Sequence, residues 1–380
     1  MSAEKNRLTG FLLTLVLVAC SREAPTGGIP RKIKPAVEVS VPPAVVNTPE
    51  AYPLPKLSAY GFFESPLASL RPRSRVLPYE PVTPLFTDYA HKKRFAWMPE
   101  GTGATVDAQG IFQFPEGTVL IKHFFYPADF SRPTENFDLV ETRLLVLTSG
   151  HWQAYSYTWN ADDSDAIYQP VGEILQANFI DEKGRSRTLD YAVPNKNQCK
   201  TCHQRGNQLL PLGPTVQNLD FESRSSGKGS QLVHWQEQGY LPRSFRRNPS
   251  HRPWANWQDP AAPLEDRALA YLQINCGHCH RENGSAHTTG LFLDGSSSDR
   301  RKLGICKPPV AAGKGAGNLA FDIQPGNAGA SIILFRMQST DPGVMMPELG
   351  RMVPHAEGIR LIRDWITAMP SECEAALLPL

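Results

Sequence analysis

The chain lacks any strong excess of charge and any apolar run long enough to cross a membrane. Its 380 residues carry a formal net charge of +2, which favours neither nucleic acid nor an anionic membrane surface as a partner. The apolar run at 11–19 falls short of the about 20 residues that a spanning helix needs. No Ser-His-Asp motif stands out, and the glycine-rich stretch 313–317 lacks the Gly-Lys-Ser/Thr ending of a phosphate-binding loop.

Cysteine is also scarce, at seven residues, but it is strongly patterned. The pentapeptide Cys-x-x-Cys-His occurs at 199–203 and again at 276–280. Thiols at this spacing can add to the two vinyl groups of one haem, and the following histidine can bind its iron. Structural disulfides or a redox Cys-x-x-Cys would not need a histidine both times. The sequence therefore predicts two haem c groups, attached through Cys199, Cys202, Cys276 and Cys279, with His203 and His280 as iron ligands.

The N-terminus has the parts of a secretory signal. Two basic residues precede the apolar run 11–19, and Cys20 follows it. Leu17-Val18-Ala19-Cys20 resembles the bacterial lipoprotein cleavage box, which implies removal of a signal peptide and acylation of Cys20. The residue after the acylated cysteine, Ser21, favours placement of such a lipoprotein in the outer membrane. The alternative is an ordinary signal peptide that contains a cysteine. We predict an exported, periplasmic-side protein held at the membrane by a lipid anchor.

Two cysteines remain after the lipid site and the four haem attachments, namely Cys306 and Cys373. In an oxidising compartment they could form a disulfide that ties a loop to the C-terminus. Sequence does not give the distance between them, so two free thiols are the open alternative.

The pattern along the chain predicts an α+β multidomain protein. Strand-like runs at 118–126, 141–147 and 151–159 include a hairpin that turns at Ser149-Gly150. Apolar residues at helical spacing cover 264–276 and 359–369. The predicted order is a signal peptide (1–20), a proline-rich tether (21–56), a β-rich domain ending in the first motif (57–210), a linker with a short helix at 231–238 (211–262), and an all-α domain with the second motif (263–373).

The last of these parts resembles the small all-helical cytochrome c domain. The segment 343–350 is similar to the loop in which a methionine directly before a proline completes the iron coordination. The resemblance implies Met346 as the second iron ligand of the second haem, with Met345, Met337 and Met352 as alternatives. Histidine plus thioether raises the reduction potential, and a haem with both positions filled is an electron carrier.

The first haem has no evident second ligand, because no methionine lies between Met98 and Met337. Residues 114–122, followed by hairpin strands and the first motif, resemble β-sheet cytochromes of the c′-β type, whose relatives include enzymes that oxidise hydroxylamine at a lysine-linked haem. The resemblance implies an open haem with Lys122 close to it. Since strand side chains alternate, only one of Lys122 and His123 can face the iron. A solvated Lys122 is the alternative. Other histidine candidates are His91, His151 and His234.

Residues 57–369 as a whole resemble a family of bacterial two-haem c-type cytochromes, through the strings at 83–90, 141–145, 193–195 and 275–280. The resemblance implies electron relay outside the cytoplasm to a redox partner that the sequence does not identify. The rival prediction is a haem enzyme whose open first haem binds peroxide, nitric oxide or hydroxylamine and exchanges electrons with the second haem.

Overall fold

The structure is a computed structural model that describes residues 52–206, 208–223, 229–310 and 312–377. The chain is α+β, with a β-sheet-rich N-terminal part and helices towards the C-terminus. Most of the predicted tether, the signal peptide and Cys20 lie outside the described residues. Within the described ranges, no helix combines the length and apolar character that crossing a membrane requires.

The regular elements follow the predicted order of strands first and helices later. The strands are β1 (Val76–Pro78), β2 (His91–Trp97), β3 (Thr105–Val106), β4 (Phe112–Gln113), β5 (Val119–Pro127), β6 (Phe137–Thr148), β7 (His151–Trp159), β8 (Ala166–Tyr168), β9 (Glu173–Ile180), β10 (Ser186–Val193), β11 (Gln204–Arg205) and β12 (Gln208–Leu209). The α-helices are α1 (Lys196–His203), α2 (Val216–Leu219), α3 (Gln231–Glu237), α4 (Leu264–Asn275), α5 (Ile332–Gln338), α6 (Ala356–Ala368) and α7 (Cys373–Ala376).

A six-stranded antiparallel sheet, in the order β1-β2-β5-β6-β7-β8, forms the frame of the β-rich part. The predicted hairpin is confirmed as β6 and β7, joined by Ser149 and Gly150, which both have positive φ. On one face of this sheet, Tyr155, Tyr157 and Trp159 pack into a single aromatic-rich cluster, as the alternation along β7 predicts.

The opposite face of the sheet is covered by the segment expected to be a linker. Its helix α3 begins at the predicted N-cap, where the Ser230 hydroxyl accepts a hydrogen bond from the Leu232 N–H. Trp235 and Tyr240 are fully buried in a core that also contains residues of β1, β2 and β5. Because β5 is therefore covered on both faces, seven of its nine residues are apolar and buried, the exceptions being Lys122 and His123.

Helices α4 and α6 confirm the two predicted C-terminal helices and pack against each other. Their close approach depends on Gly358, since a Cβ there would stand 2.2 Å from the Tyr271 hydroxyl oxygen. Cys306 and Cys373 form a disulfide with a Cα–Cα distance of 5.9 Å, and it fastens α7 to the loop after α4.

The segment 83–90 joins the β-rich part to the helical part. The Asp88 carboxylate accepts hydrogen bonds from the N–H groups of Met352 (2.7 Å) and Val353 (3.0 Å). The Asn275 side-chain oxygen accepts one from the N–H of Phe86 (2.8 Å), and the Phe86 ring stacks on His355 with centroids 4.0 Å apart. These contacts hold the sheet and the helices together around a shared cavity.

Candidate functional site

A large cavity lies between the sheet and the helices, with about 1760 Å³ of empty space when its part open to solvent is included. Its wall is mainly apolar, but side chains that carry chemistry line it from β5, β6, α1, the turn after α4 and the segment 346–355. These side chains are Lys122, Arg143, Cys199, Cys202, His203, Cys276, His278, Met346, Arg351 and His355.

The first cysteine motif lies on helix α1, which a capping box starts at Asn195. The Asn195 side-chain oxygen accepts from the N–H groups of Asn197 and Gln198, and the Gln198 side chain accepts from the Asn195 N–H. Positions three and four apart share one side of a helix, so Cys199, Cys202 and His203 all reach the cavity wall.

His203 is held with one ring nitrogen engaged and its protonation suppressed. Its Nδ1–H donates a hydrogen bond to the carbonyl oxygen of Leu210 (2.8 Å), which leaves Nε2 with its lone pair. Burial lowers the pKa of His203 to about 4, and the nearby positive charges of Lys122 and Arg143 act in the same direction. A neutral imidazole oriented through its other nitrogen is the usual form of a histidine that binds a metal.

The second motif follows directly after α4, and its residues divide between two environments. Cys276 caps α4 and lines the cavity, as does His278. Gly277 lies so close to neighbouring backbone that a Cβ would stand 2.7 Å from the Gln273 carbonyl oxygen. His280 is half-buried outside the cavity lining, with Nδ1 3.3 Å from the Thr289 hydroxyl, and burial lowers its pKa to about 4.

The two motifs meet at their second cysteines. Ligand atoms of Cys202, Cys279 and His278 all lie within 4.8 Å of one another, and the Cys279 thiol is 3.7 Å from the Thr201 carbonyl oxygen. The pKa of Cys279 is lowered, first by a hydrogen bond from the Cys202 thiol and then by His278. The Nδ1 atom of His278 is buried without a hydrogen-bond partner among the described residues.

Of the four methionines considered as ligands, Met346 and Met337 line the cavity and the other two do not. Met345 is buried elsewhere, and Met352 is 39% exposed. The backbone at Met346 is fixed, because its carbonyl oxygen accepts two hydrogen bonds from the Arg351 guanidinium and its N–H donates to the Arg336 carbonyl oxygen. The structure thus brings Met346 to the same cavity as Cys276.

Lys122, and not His123, faces the cavity. Lys122 lines it, whereas His123 points to the other side of the sheet, where its Nδ1 lies 2.7 Å from the Thr142 hydroxyl and its ring meets Phe63 and Phe95. The Nε2 atom of His123 is buried without a partner in the described part of the chain. None of His91, His151 and His234 lines the cavity.

The cysteine chemistry fits covalent haem attachment. Cys306 and Cys373 are bonded to each other, whereas Cys199, Cys202, Cys276 and Cys279 are free thiols. Three of these four line one mainly apolar cavity that also contains His203 and Met346. Such a set of donors fits a haem at the first motif. At the second motif, Cys276 and Met346 line this cavity, whereas Cys279 and His280 lie outside its lining.

The cavity also contains groups that the sequence pattern does not single out. Arg94 and Arg143 line it from strands β2 and β6, and His278 and His355 line it from the helical side. For Arg94, the sequence does contain a signal in the basic run at 91–94, since strand alternation places Lys92 and Arg94 on the same face of the sheet. His278 sits inside the second motif, at a position where the motif itself permits any residue.

Comparison of the chain with protein-family models, with curated proteins and with solved structures finds no match, so the function must be inferred from the site itself.

Proposed function

We propose that the protein is an exported two-haem c-type cytochrome that relays electrons outside the cytoplasm. The observation that carries this proposal is that both Cys-x-x-Cys-His motifs bring cysteines to one cavity, Cys199 and Cys202 from the first and Cys276 from the second, with all four motif thiols free while the remaining described cysteines form a disulfide. When bound, haem would supply reversible one-electron chemistry.

The residues that would hold the two groups are those of the motifs. Cys199 and Cys202 would attach the first and His203 would bind its iron, for which its orientation by Leu210 is suited. Cys276 and Cys279 would attach the second, with His280 and Met346 as iron ligands. Because Cys202 and Cys279 are neighbours, the two attachment sites lie side by side, an arrangement suited to electron exchange within the chain.

The direct test is the mass and haem content of protein produced with a c-type cytochrome maturation system. We expect two haems per chain that stay bound in acid and denaturant, because thioether bonds are covalent. The Cys199→Ala/Cys202→Ala and Cys276→Ala/Cys279→Ala double variants should each retain one. Haem that is extracted by acidified solvent, or a chain that matures without haem, would contradict the proposal.

A second candidate function is catalysis at an open first haem. The observation in its favour is that Lys122 faces the cavity near His203, whereas His123 points to the other side of the sheet. None of the histidines predicted as a second ligand of the first iron lines the cavity. Resonance Raman spectra and carbon monoxide titration separate the candidates. A high-spin haem that binds carbon monoxide and persists in Met346→Ala favours the enzyme, and two six-coordinate low-spin haems favour the relay.

Export and the lipid anchor are tested separately. We expect a Cys20→Ser substitution to abolish lipid attachment, and therefore to lower the mass of the mature protein by the acyl groups and to release it from the membrane fraction. Unchanged mass and membrane partition would favour an ordinary signal peptide.

A further inference from the structure

Three cations form a row across neighbouring strands on the cavity face of the sheet. Arg94 of β2 is paired directly with Lys122 of β5, and Lys122 is paired directly with Arg143 of β6. All three side chains line the cavity. Like charges placed directly opposite each other in a sheet are destabilising, so this row needs compensating negative charge.

The neighbouring carboxylates supply only part of that charge. Glu141 is fully buried and binds Arg143 through two hydrogen bonds of 2.6 and 2.7 Å, and it also accepts one from the Tyr191 hydroxyl. Within the described part of the chain, neither Arg94 nor Lys122 forms an ion pair with a carboxylate. The hydrogen bonds of Glu141 therefore go to Arg143 and Tyr191, and its charge acts on Lys122 only through space, where it partly offsets the lowering of the pKa of Lys122.

More distant charges do not balance the row. Lys92 of β2 adds a further cation, because its charge lowers the pKa of Lys122 and the charge of Arg94 lowers the pKa of Lys92. Asp88, whose charge raises the pKa of Lys92, already accepts two backbone hydrogen bonds. Glu80 acts on Arg94 and accepts a hydrogen bond from the Ser223 hydroxyl.

The cations are held in place rather than free to reach bulk water. The Lys122 ammonium lies 4.6 Å, and the Arg143 guanidinium carbon 4.4 Å, from the centre of the buried Phe124 ring. Burial lowers the pKa of Lys122 well below its usual value, and Arg94, Lys92 and Arg143 lower it further. An anion in the cavity would relieve this repulsion.

We propose that Arg94, Lys122 and Arg143 form a binding site for carboxylate or oxyanion groups inside the cavity. Two sources share this chemistry. One is the propionate groups of a haem held by His203, and in that case the inference rests on the proposed function. The other is a small free oxyanion that enters the cavity, which requires no haem.

The test uses the matured full-length protein, its Lys122→Met and Arg94→Gln variants, and Lys183→Met as a matched control. Lys183 is exposed in the turn between β9 and β10 and is not part of the cavity lining. Calorimetric titration at low ionic strength with sodium sulfate and with sodium acetate detects a free-anion site. Redox titration measures the reduction potential of each haem, which the cavity variants should change if these side chains bind haem propionates.

A free-anion site predicts saturable binding of one anion per chain, at least tenfold weaker in Lys122→Met and Arg94→Gln and unchanged in Lys183→Met. Propionates predict no saturable binding but a lower reduction potential of one haem in both cavity variants, since losing a positive charge favours the ferric state. Absence of both effects overturns the inference. A protein that matures without haem overturns the proposed function instead, and the anion titration then decides the inference alone.

Discussion

The thiol sulfurs of Cys202 and Cys279 lie within 4.8 Å of each other, so the two cysteine motifs meet at their second cysteines. Helix α1 brings one of them and the turn after α4 brings the other. His278 completes a group of three soft or borderline ligands at the same point. Haem attachment would consume both thiols and therefore dismantle this group.

The closeness of Cys202, His278 and Cys279 predicts that the haem-free protein binds zinc at this point and that the matured protein does not. We expect the haem-free chain to bind one Zn²⁺ through Cys202, His278 and Cys279, and the matured protein to bind none there. In the haem-free chain, His278→Ala should weaken binding at least tenfold, whereas the exposed control His287→Ala should not. Competition with a chromophoric chelator measures both. Equal zinc affinity before and after maturation would contradict the assignment of these thiols to haem.

The Met346→Ala variant tests whether Met346 is a ligand of the iron of the second haem. We expect this variant to lose the low-spin spectrum of one haem and to lower its reduction potential, because a thioether sulfur stabilises ferrous iron. The loop itself should remain in place, since Arg351 binds the backbone carbonyl of residue 346 and not its side chain. Met352→Ala, at an exposed methionine outside the cavity, is the control. If the two variants give the same spectrum, Met346 is not the ligand.

Asp88→Ala should separate the β-rich part from the helices. The substitution leaves the N–H groups of Met352 and Val353 without their acceptor, which we expect to lower the free energy of unfolding by about 3 kcal/mol. Asp364→Ala on the exposed side of α6 should change it by less than about 0.5 kcal/mol. Urea unfolding followed by circular dichroism measures both. Similar losses in the two variants would mean that the Asp88 contacts do not hold the parts together.

The main elements of the fold are predictable from the sequence because local patterns specify them. Alternation predicts β7 and its hairpin partner, and helical spacing predicts α4 and α6. Strands β9 and β10 are not predicted, although each has apolar residues at alternate positions on the side that packs into one buried cluster. Their other side is largely exposed and includes the apolar Ile174 and Ile180, which weakens the contrast between the two faces. The first motif lies on helix α1, and the signal for this helix in the sequence is the short capping box formed by Asn195 and Gln198.

The candidate site is less predictable, because long-range packing assembles it. The motifs themselves are visible, but nothing in the sequence places Cys202 against Cys279. The cation row depends on the pairing of β2, β5 and β6, and their register brings Arg94, Lys122 and Arg143 together. Strand alternation limits the cavity-facing residue to Lys122 or His123, and the choice between them requires knowing which face of the sheet meets the helices.

His123 predicts a loss of stability in mild acid. Burial, and to a smaller extent Lys93, lowers its pKa to about 3 in the folded chain, whereas the unfolded chain binds a proton near pH 6.5. The unfolded state therefore binds more protons between these values, and stability falls as the pH drops from 6.5 towards 3, by about 1.4 kcal/mol per unit. Between pH 7 and pH 5, His123→Phe should lose about 2 kcal/mol less than wild type. Urea unfolding at both pH values measures this, and the exposed control His151→Phe should follow wild type.

Because Cys306 and Cys373 are bonded, we expect reductant to lower the free energy of unfolding, whether or not haem is attached. Cys306 and Cys373 are 67 residues apart, so the bond removes much of the freedom of the unfolded chain, by about 4 kcal/mol on the chain-entropy account. We expect the Cys306→Ser/Cys373→Ser variant to lose about that much free energy of unfolding. Dithiothreitol should bring wild type down to the same value and leave the variant unchanged, because thioether bonds resist reduction. A wild type that is insensitive to reductant in urea unfolding would show that the two thiols are not bonded in the mature protein.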